Sequence, residues 1–351
     1  MDSGHDYYIL DAEYDFYGRR FATCSSDHSI RIWDQQPNDQ WLPSAKILKA
    51  SRSAISRLSW AHPEYGTLLA AASEDASVTI WEEQTHPSSL PSSSSSSSSS
   101  TWVCRVTLKE SLRGVSTVAF APPFLGLQIA AGAADGMVRV YEAIDVTNLA
   151  HWPLQDSFEG GREGGREGGV TSLSWNKCRF DPPMMVVGGS GGGIRVWVGR
   201  EEGQSGGHGG RRWEVLCELS RGGGGGGEGV RDVAWAPKMG RSYHLIATAG
   251  RDNKLRIHTL RREEEEEREG ERRGGRRRWV HDAVEDTQEI DVGAEIWRVE
   301  WNVLGTLLAS SGEDGVVRLW RKDQDGRWGL SKVLHRPSGR TRGEGVVLMN
   351  K

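Results

Sequence analysis

The sequence has few cysteines and no long apolar run. Its four cysteines, Cys24, Cys104, Cys178 and Cys217, are scattered through 351 residues and lack the close spacing of a zinc site or a disulfide framework. No stretch of about 18 apolar residues predicts a membrane-spanning helix, and the first residues lack the apolar core of a signal peptide. We therefore expect an intracellular protein with reduced thiols and no membrane insertion.

The sequence also lacks a large excess of basic over acidic residues, or the reverse. The chain carries 44 basic and 48 acidic residues, for a net charge of −4, so no whole-molecule field attracts nucleic acid. The ten histidines are dispersed, and neither a nucleophile motif nor a phosphate-binding loop with its Lys-Ser/Thr ending is present. These absences predict no enzymatic activity, no metal, no cofactor and no direct nucleic-acid binding.

What the sequence has is one unit repeated six times. In each unit a short apolar strand ends in an aromatic residue, and a Gly/Ser/Ala-rich strand leads to a tight turn. A second aromatic residue follows the turn by six residues; in the second unit the segments are Ile55–Trp60 and Leu68–Ser73, with Asp75 in the turn and Trp81 after it. Short strands recurring every 40 to 60 residues or so predict an all-β WD-repeat β-propeller.

The turns carry an aspartate in five of the six units. Aspartates spread once per repeat do not converge on one site, as catalysis requires, whereas a short carboxylate in a tight turn accepts backbone N–H bonds. The fourth unit has Gly191 instead, which predicts the loosest of the six hairpins. We expect a structural turn role for Asp27, Asp75, Asp135, Asp252 and Asp314.

A tryptophan heads the fourth strand predicted for each unit: Trp41, Trp102, Trp152, Trp213, Trp279 and Trp328. Together with the repeats, these tryptophans predict a single domain of six four-stranded blades at about 9–48, 55–108, 115–158, 170–219, 230–286 and 296–334. Segments rich in Ser, Gly or Arg/Glu predict surface loops, because they bury too little apolar surface to offset their ordering entropy. These segments are 84–101, 159–169, 199–212, 221–229 and 261–278, and 335–351 is expected to be a flexible tail.

The ends of the repeat series predict an open propeller. In most WD propellers the N-terminus supplies the outer strand of the last blade, but here the sixth unit carries its own, Trp328 to Leu334, and only eight residues precede Ile9. We expect a propeller without an N-terminal clasp, completed in trans by a partner. The candidate contact residues are Tyr7, Tyr8 and Ile9 at one end, and Trp328, Val333 and Leu334 at the other.

The arginine-rich insert leaves two interpretations. Five arginines between residues 272 and 278 form a basic cluster suited to nuclear import or RNA binding. Seven glutamates in the same insert nearly cancel its eight arginines, which favours a solvated, self-neutralising loop.

At the first unit a family resemblance becomes specific. The run Tyr14-Asp15-Phe16-Tyr17-Gly18-Arg19-Arg20, followed by Ala22 to Asp27, resembles the opening blade of the Seh-type WD-repeat nucleoporins. Segments 60–66, 120–127 and 297–315 extend the resemblance over nearly the whole chain.

The resemblance implies a scaffold subunit of the nuclear pore Y-shaped complex, completed by a blade from an α-solenoid nucleoporin. It also implies a second role in the SEA/GATOR-type complex that regulates TOR signalling. The expected locations are the nuclear envelope and, through partners, the cytoplasm and the periphery of the vacuole or lysosome.

The alternative function is a substrate adaptor that presents peptides to an assembly such as a ubiquitin ligase. Adaptors of that class often carry Trp-Asp-x-Arg at the end of a repeat. Here Trp33-Asp34 is followed by Gln35-Gln36, so the arginine is absent.

Overall fold

The structure is a computed structural model that describes residues 3–85, 100–161, 168–201, 211–219, 229–263, 278–280 and 287–335. The chain divides into two compact units, with the boundary between Ser157 and Phe158. Over the described ranges, no helix is long and apolar enough to cross a membrane. Two short 3₁₀ helices, Pro63–Tyr65 and Pro123–Leu125, lie in turns of the first unit.

The strands of blades one to three begin in the first unit. Blade one contains β1 (Ile9–Tyr14), β2 (Arg20–Ser25), β3 (Ile30–Gln35) and β4 (Trp41–Ile47). Blade two contains β5 (Ile55–Trp60), β6 (Leu68–Ser73), β7 (Val78–Thr85) and β8 (Ser100–Leu108). Blade three contains β9 (Val115–Phe120), β10 (Gln128–Ala133), β11 (Met137–Glu142) and β12 (Leu154–Glu159). Within each blade the strands pair antiparallel in chain order.

The second unit holds blades four to six. Blade four contains β13 (Val170–Trp175), β14 (Met184–Gly189), β15 (Ile194–Glu201) and β16 (Arg211–Glu218). Blade five contains β17 (Val230–Trp235), β18 (His244–Gly250), β19 (Lys254–Glu263), β20 (Arg278–Val280) and β21 (Thr287–Asp291). Blade six contains β22 (Ile296–Trp301), β23 (Leu307–Gly312), β24 (Val317–Lys322) and β25 (Trp328–Leu334).

Small side chains let neighbouring blades approach closely. All six residues of β6 and of β10 are buried on both faces, which their Ala, Gly and Ser content permits. Apolar clusters join blade one to two, two to three, four to five and five to six. The Gly/Ser/Ala-rich strand of the repeat is therefore the centre of each blade's packing.

Each inner strand carries a β-bulge between its first and third residues. In blades two and three, the bulged residue is a serine whose hydroxyl donates to a carbonyl of the next strand: Ser56 to Ala72 at 3.2 Å and Ser116 to Gly132 at 3.0 Å. In blade six the bulged residue is Trp297, which is half exposed. A bulge re-aims its side chain, which explains why this tryptophan falls outside the repeat positions.

The outer strand of blade five differs from the sequence prediction. Trp279 lies on the three-residue β20, which pairs with the extension of β19 beyond Leu260. The longer outer strand is β21, so the blade ends at Asp291 and not at 286. Trp152 likewise precedes β12 instead of heading it, and its indole N–H donates to the Leu149 carbonyl at 3.0 Å.

Several hairpin strands extend into segments predicted as loops. β7 and β8 pair to Thr85 and Ser100, and β15 and β16 pair to Glu201 and Arg211, because ladder hydrogen bonds tolerate polar residues at a solvated edge. The centres of the inserts (86–99, 162–167, 202–210, 220–228 and 264–277) and the tail from 336 lie outside the described residues. The single-domain expectation stays a prediction.

Candidate interaction surfaces

The five turn aspartates all bind their own turns. Each carboxylate accepts the backbone N–H of the residue two positions later, at 2.9 to 3.3 Å. Arg139, Arg256 and Arg318 add ion pairs to Asp135, Asp252 and Asp314. Burial by itself raises the pKa of the Asp135 carboxyl, but the bonds from Arg139 and from backbone N–H groups hold that pKa below its ordinary value.

Blade one carries the most elaborate of these turns. His5 lies within hydrogen-bond distance of Asp27 through Nδ1 and of Thr23 through Nε2, both at 2.9 Å, and the Trp33 indole donates to Thr23 at 3.2 Å. Although burial raises the pKa of the Asp27 carboxyl, bonds from Ser29 and His5 hold it well below its usual range.

The described residues contain no group of three His, Cys, Asp or Glu side chains placed to hold a metal ion. The turn aspartates lie in separate blades, each bonded within its own hairpin. This geometry favours a structural role for the turns.

A polar cluster that the sequence analysis missed lies in the second unit. The buried His244 ring accepts the Trp235 indole N–H at Nδ1, 3.2 Å away, and its Nε2 lies 3.3 Å from Asp181. Lys238 donates to both oxygens of Asp181, at 3.1 and 3.2 Å. Burial lowers the pKa of His244 and favours the neutral ring, which carries its proton on Nε2 because Nδ1 accepts the Trp235 N–H. No repeat position predicts a contact between side chains this far apart in sequence.

Inner strands are joined by a repeated hydrogen bond. The side chain at the third or fifth residue of one inner strand accepts a backbone N–H from the next. Five such bonds, at 2.9 to 3.1 Å, are Leu58 to Asp11, Trp60 to Glu13, Phe120 to Ser59, Trp235 to Ser174 and Val299 to Asp232. In blade six the fifth position is Glu300, which is exposed.

Apolar rows pack one blade onto the next. In blade five the row is formed by alternate residues of β18 and β19, all buried against blade six: Leu245, Ala247, Leu255 and Ile257. The same register in blade six defines what we call the blade-six face: Leu307, Ala309, Val317, Leu319 and Leu334. Every residue of the blade-six face is half-buried or exposed.

The predicted contact residues occupy different environments. Leu334 belongs to the blade-six face and is 42% exposed. Val333 is half-buried and pairs with Arg318, outside that row. Trp328 is buried against Trp301, with ring centroids 5.1 Å apart, so its ring is not accessible to a partner.

At the other end of the chain, Ile9 is half-buried and begins β1. Tyr7 and Tyr8 are exposed, Tyr8 by 83%, and the Tyr8 carbonyl accepts the Ser26 N–H at 3.0 Å. The two tyrosine rings are therefore accessible while the backbone beside them is held to the first turn.

Six antiparallel blades, the fifth with one additional short strand, share these turns and inner-strand bonds and define a WD-repeat β-propeller, so the predicted all-β WD-repeat propeller is confirmed. Residues 2–34 and 290–321 match the family described as WD domain, G-beta repeat. The first matched segment contains the His5 and Asp27 network, and the second spans β22 to β24.

Relatives that align with almost the whole chain identify the family within the WD-repeat propellers. The chain is 36% identical over 338 residues to nucleoporin SEH1-A of Xenopus laevis, and equally so to nucleoporin SEH1 of Homo sapiens; each alignment covers 94% of this chain and 86% of the relative. Nucleoporin SEH1 of Danio rerio is 35% identical over 336 residues, covering 94% of this chain and 85% of that protein. The chain belongs to the nucleoporin SEH1 family, and the resemblance to Seh-type nucleoporins is confirmed.

Proposed function

We propose that this chain is a non-enzymatic scaffold subunit of the nuclear pore Y-shaped complex, located at the nuclear envelope. In this proposal an α-solenoid nucleoporin contributes a blade in trans that covers the blade-six face. Family membership supports a nucleoporin scaffold. The half-exposed apolar register of the blade-six face is the observation that carries the partner-binding step.

Equivalent residues of blades five and six differ in burial. Leu255 and Ile257 in blade five are fully or almost fully buried because blade six packs on them, whereas Val317 and Leu319 hold the same positions in blade six and are only half-buried. Covering apolar surface contributes roughly 25 cal/mol per Å², so this row favours association with another apolar surface. In blade five, the equivalent apolar row packs against a neighbouring blade, so a blade is the kind of surface that this row fits.

Co-expression with the α-solenoid nucleoporin of the Y complex, followed by size-exclusion chromatography and affinity measurement, tests the proposal. Leu319→Asp places a charge in the centre of the blade-six face and should weaken binding on the order of tenfold to hundredfold. Val215→Asp, at an exposed position on β16, is the matched control and should bind normally. Equal affinity of the two variants, with normal circular dichroism, would sink the proposed binding face.

A second role in the SEA/GATOR-type complex, with a location at the vacuolar or lysosomal periphery, rests on the family resemblance alone. The same face would serve it, because one register of apolar residues accepts one kind of partner surface. Affinity purification of the wild type and of Leu319→Asp, with mass spectrometry, tests this. Loss of the pore partners while the SEA/GATOR-type subunits stay bound would separate the two roles and contradict a shared face.

A further inference from the structure

The turns that follow the three inner strands of the second unit form a continuous edge, which we call the basic rim: residues 176–183, 236–243 and 302–306. Lys238 of the middle turn binds Asp181 of the first turn, at 3.1 and 3.2 Å. Arg241 of the middle turn donates to the Gly305 carbonyl of the last, at 2.8 Å. These contacts hold the three turns together as one surface.

Large apolar side chains project from every turn of the basic rim. Phe180 is 93% exposed, Met239 is 62% exposed and Val303 is 78% exposed, with Leu304 exposed beside it. Met239 also has a φ of 40°, in the left-handed region that favours glycine or asparagine. The left-handed turn therefore does not account for Met239, and an exposed apolar side chain on each of three joined turns marks a contact surface.

The charge of the basic rim is opposite to that of the whole chain. Its three segments contain four cations, Lys177, Arg179, Lys238 and Arg241, and one acidic residue, Asp181, for a net charge of +3. The acidic residue is buried and already paired with Lys238. Lys177 and Arg179 are exposed on either side of Cys178, next to Phe180. The chain as a whole carries −4.

The first unit offers an internal comparison. Its corresponding turns, 15–19, 61–67 and 121–127, are also joined, by a ring contact of Phe16 with His62 at 4.7 Å and by a hydrogen bond from Tyr65 to the Pro123 carbonyl at 2.9 Å. Phe16 and Tyr17 are exposed there. These segments contain one cation, Arg19, and two acidic residues, Asp15 and Glu64, for a net charge of −1. Apolar tips therefore occur in both units, but the basic surplus occurs in only one.

We propose that the basic rim docks onto the surface of a bilayer containing anionic phospholipids. Phe180, Met239 and Val303 enter the headgroup layer, and Lys177 and Arg179 contact lipid phosphates. Protruding side chains on three separate turns suit a deformable surface better than a rigid groove, and apolar tips flanked by cations have the chemistry of interfacial binding. The contact is peripheral and uses no spanning segment.

Sedimentation of the full chain with vesicles tests this proposal. We expect binding to vesicles of phosphatidylcholine and phosphatidylserine, little binding to phosphatidylcholine alone, and weakening by added salt. Lys177→Glu with Arg179→Glu should reduce binding more than about tenfold, since each basic residue near the surface contributes about 1 kcal/mol. Phe180→Ser with Met239→Ser and Val303→Ser should reduce binding to a similar extent.

The matched control is Phe16→Ser with Tyr17→Ser, which removes exposed aromatic rings from the less basic turns and should leave vesicle binding unchanged. Wild-type protein that stays in the supernatant with phosphatidylserine vesicles would overturn the proposal. So would equal binding by the control and the basic-rim variants. If the basic-rim variants lost binding to a protein ligand but still bound vesicles as the wild type does, the result would overturn the proposal in favour of a protein partner.

Discussion

At the residue scale, the repeat is set by its turns. The residue after each turn acid, or after Gly191, has a positive φ in all six blades: His28, Ala76, Gly136, Gly192, Asn253 and Gly315. Glycine and asparagine adopt that conformation readily, and other residues pay a steric penalty for it. The turn therefore imposes a positive φ at this position even where the side chain disfavours that conformation.

Ala76 is the clearest such position, with a φ of 67°. We expect Ala76→Gly to raise the free energy of unfolding by about 0.5–1 kcal/mol, because relief of the left-handed strain outweighs glycine's added unfolded-state entropy. Urea unfolding followed by tryptophan fluorescence measures the change. Gly136→Ala, at a φ of 82° in the next blade, should lower the free energy of unfolding, and a stabilising result there would contradict the explanation.

His244 predicts a pH dependence of stability. Burial lowers the pKa of this histidine and, in the other unit, that of His5, so each folded pKa lies below the unfolded value of about 6.5. The unfolded state then binds more protons than the folded state below about pH 6.5. The stabilising contribution is full above that pH and is lost as the pH falls below it.

We therefore expect the free energy of unfolding to fall between about pH 7 and pH 5. His244→Gln, which keeps an acceptor for Trp235 and a donor for Asp181, should make that fall shallower, with His5 responsible for the remainder. Urea unfolding at a series of pH values measures both slopes. Identical slopes for the variant and the wild type would show that His244 does not titrate in this window.

Residue roles were predictable where they are local. An aspartate two residues before the N–H that it accepts lies in a recognisable turn, so its role follows from spacing. The Asp181, His244 and Trp235 cluster joins residues of two blades, and Asp181 and His244 hold positions outside the repeat pattern, so no periodic signal shows it. The burial of Trp328 was not predictable, because the sequence of an edge strand does not show which of its side chains turn inward.

At the element scale, the fourth hairpin lacks its acid. Ser190 partly replaces it, because its hydroxyl accepts the Gly169 N–H at 2.9 Å. Gly191 follows it at the position that Asp27 and Asp75 occupy in their blades, while the Gly192 backbone already has a φ of 101°. The hairpin has the right backbone for an acidic turn without the carboxylate.

Gly191→Asp should therefore raise the free energy of unfolding of the second unit by about 0.5–1.5 kcal/mol, through reduced unfolded-state entropy and a new bond to the Gly193 N–H. Thermal unfolding measured by calorimetry is the test. Gly191→Ala isolates the backbone part and should stabilise less. An aspartate no better than alanine would show that the carboxylate adds nothing to this turn.

Elements were predicted well where aromatic positions and strand ends coincide, as in β5 and β22. The outer strand of blade five was predicted incorrectly, because Trp279 fits the aromatic pattern but lies on a short strand paired with an extension of β19. The pattern records ring positions, whereas strand length depends on how far edge residues continue the ladder. The charged hairpins β7–β8 and β15–β16 extend for the same reason.

At the scale of the whole molecule, the small net charge does not show how charge is distributed over the surface. The net charge of −4 does not reveal the basic rim, because its cations form two pairs, Lys177 with Arg179 and Lys238 with Arg241, on turns that follow two different inner strands. The blade-six face is equally hidden, since its residues resemble buried residues of every other blade. The number of blades was predictable from the repeats, and the exposure of the last face required the structure.

The central claim is that a partner's blade covers the blade-six face. Hydrogen exchange of the full chain, alone and with the α-solenoid nucleoporin of the Y complex, tests it most directly, with β18 of blade five as the internal reference. The account predicts slower exchange in β22 to β25 on mixing, at protein concentrations where β18 is unchanged. Unchanged exchange in β22 to β25, despite a complex that elutes as one species, would contradict it.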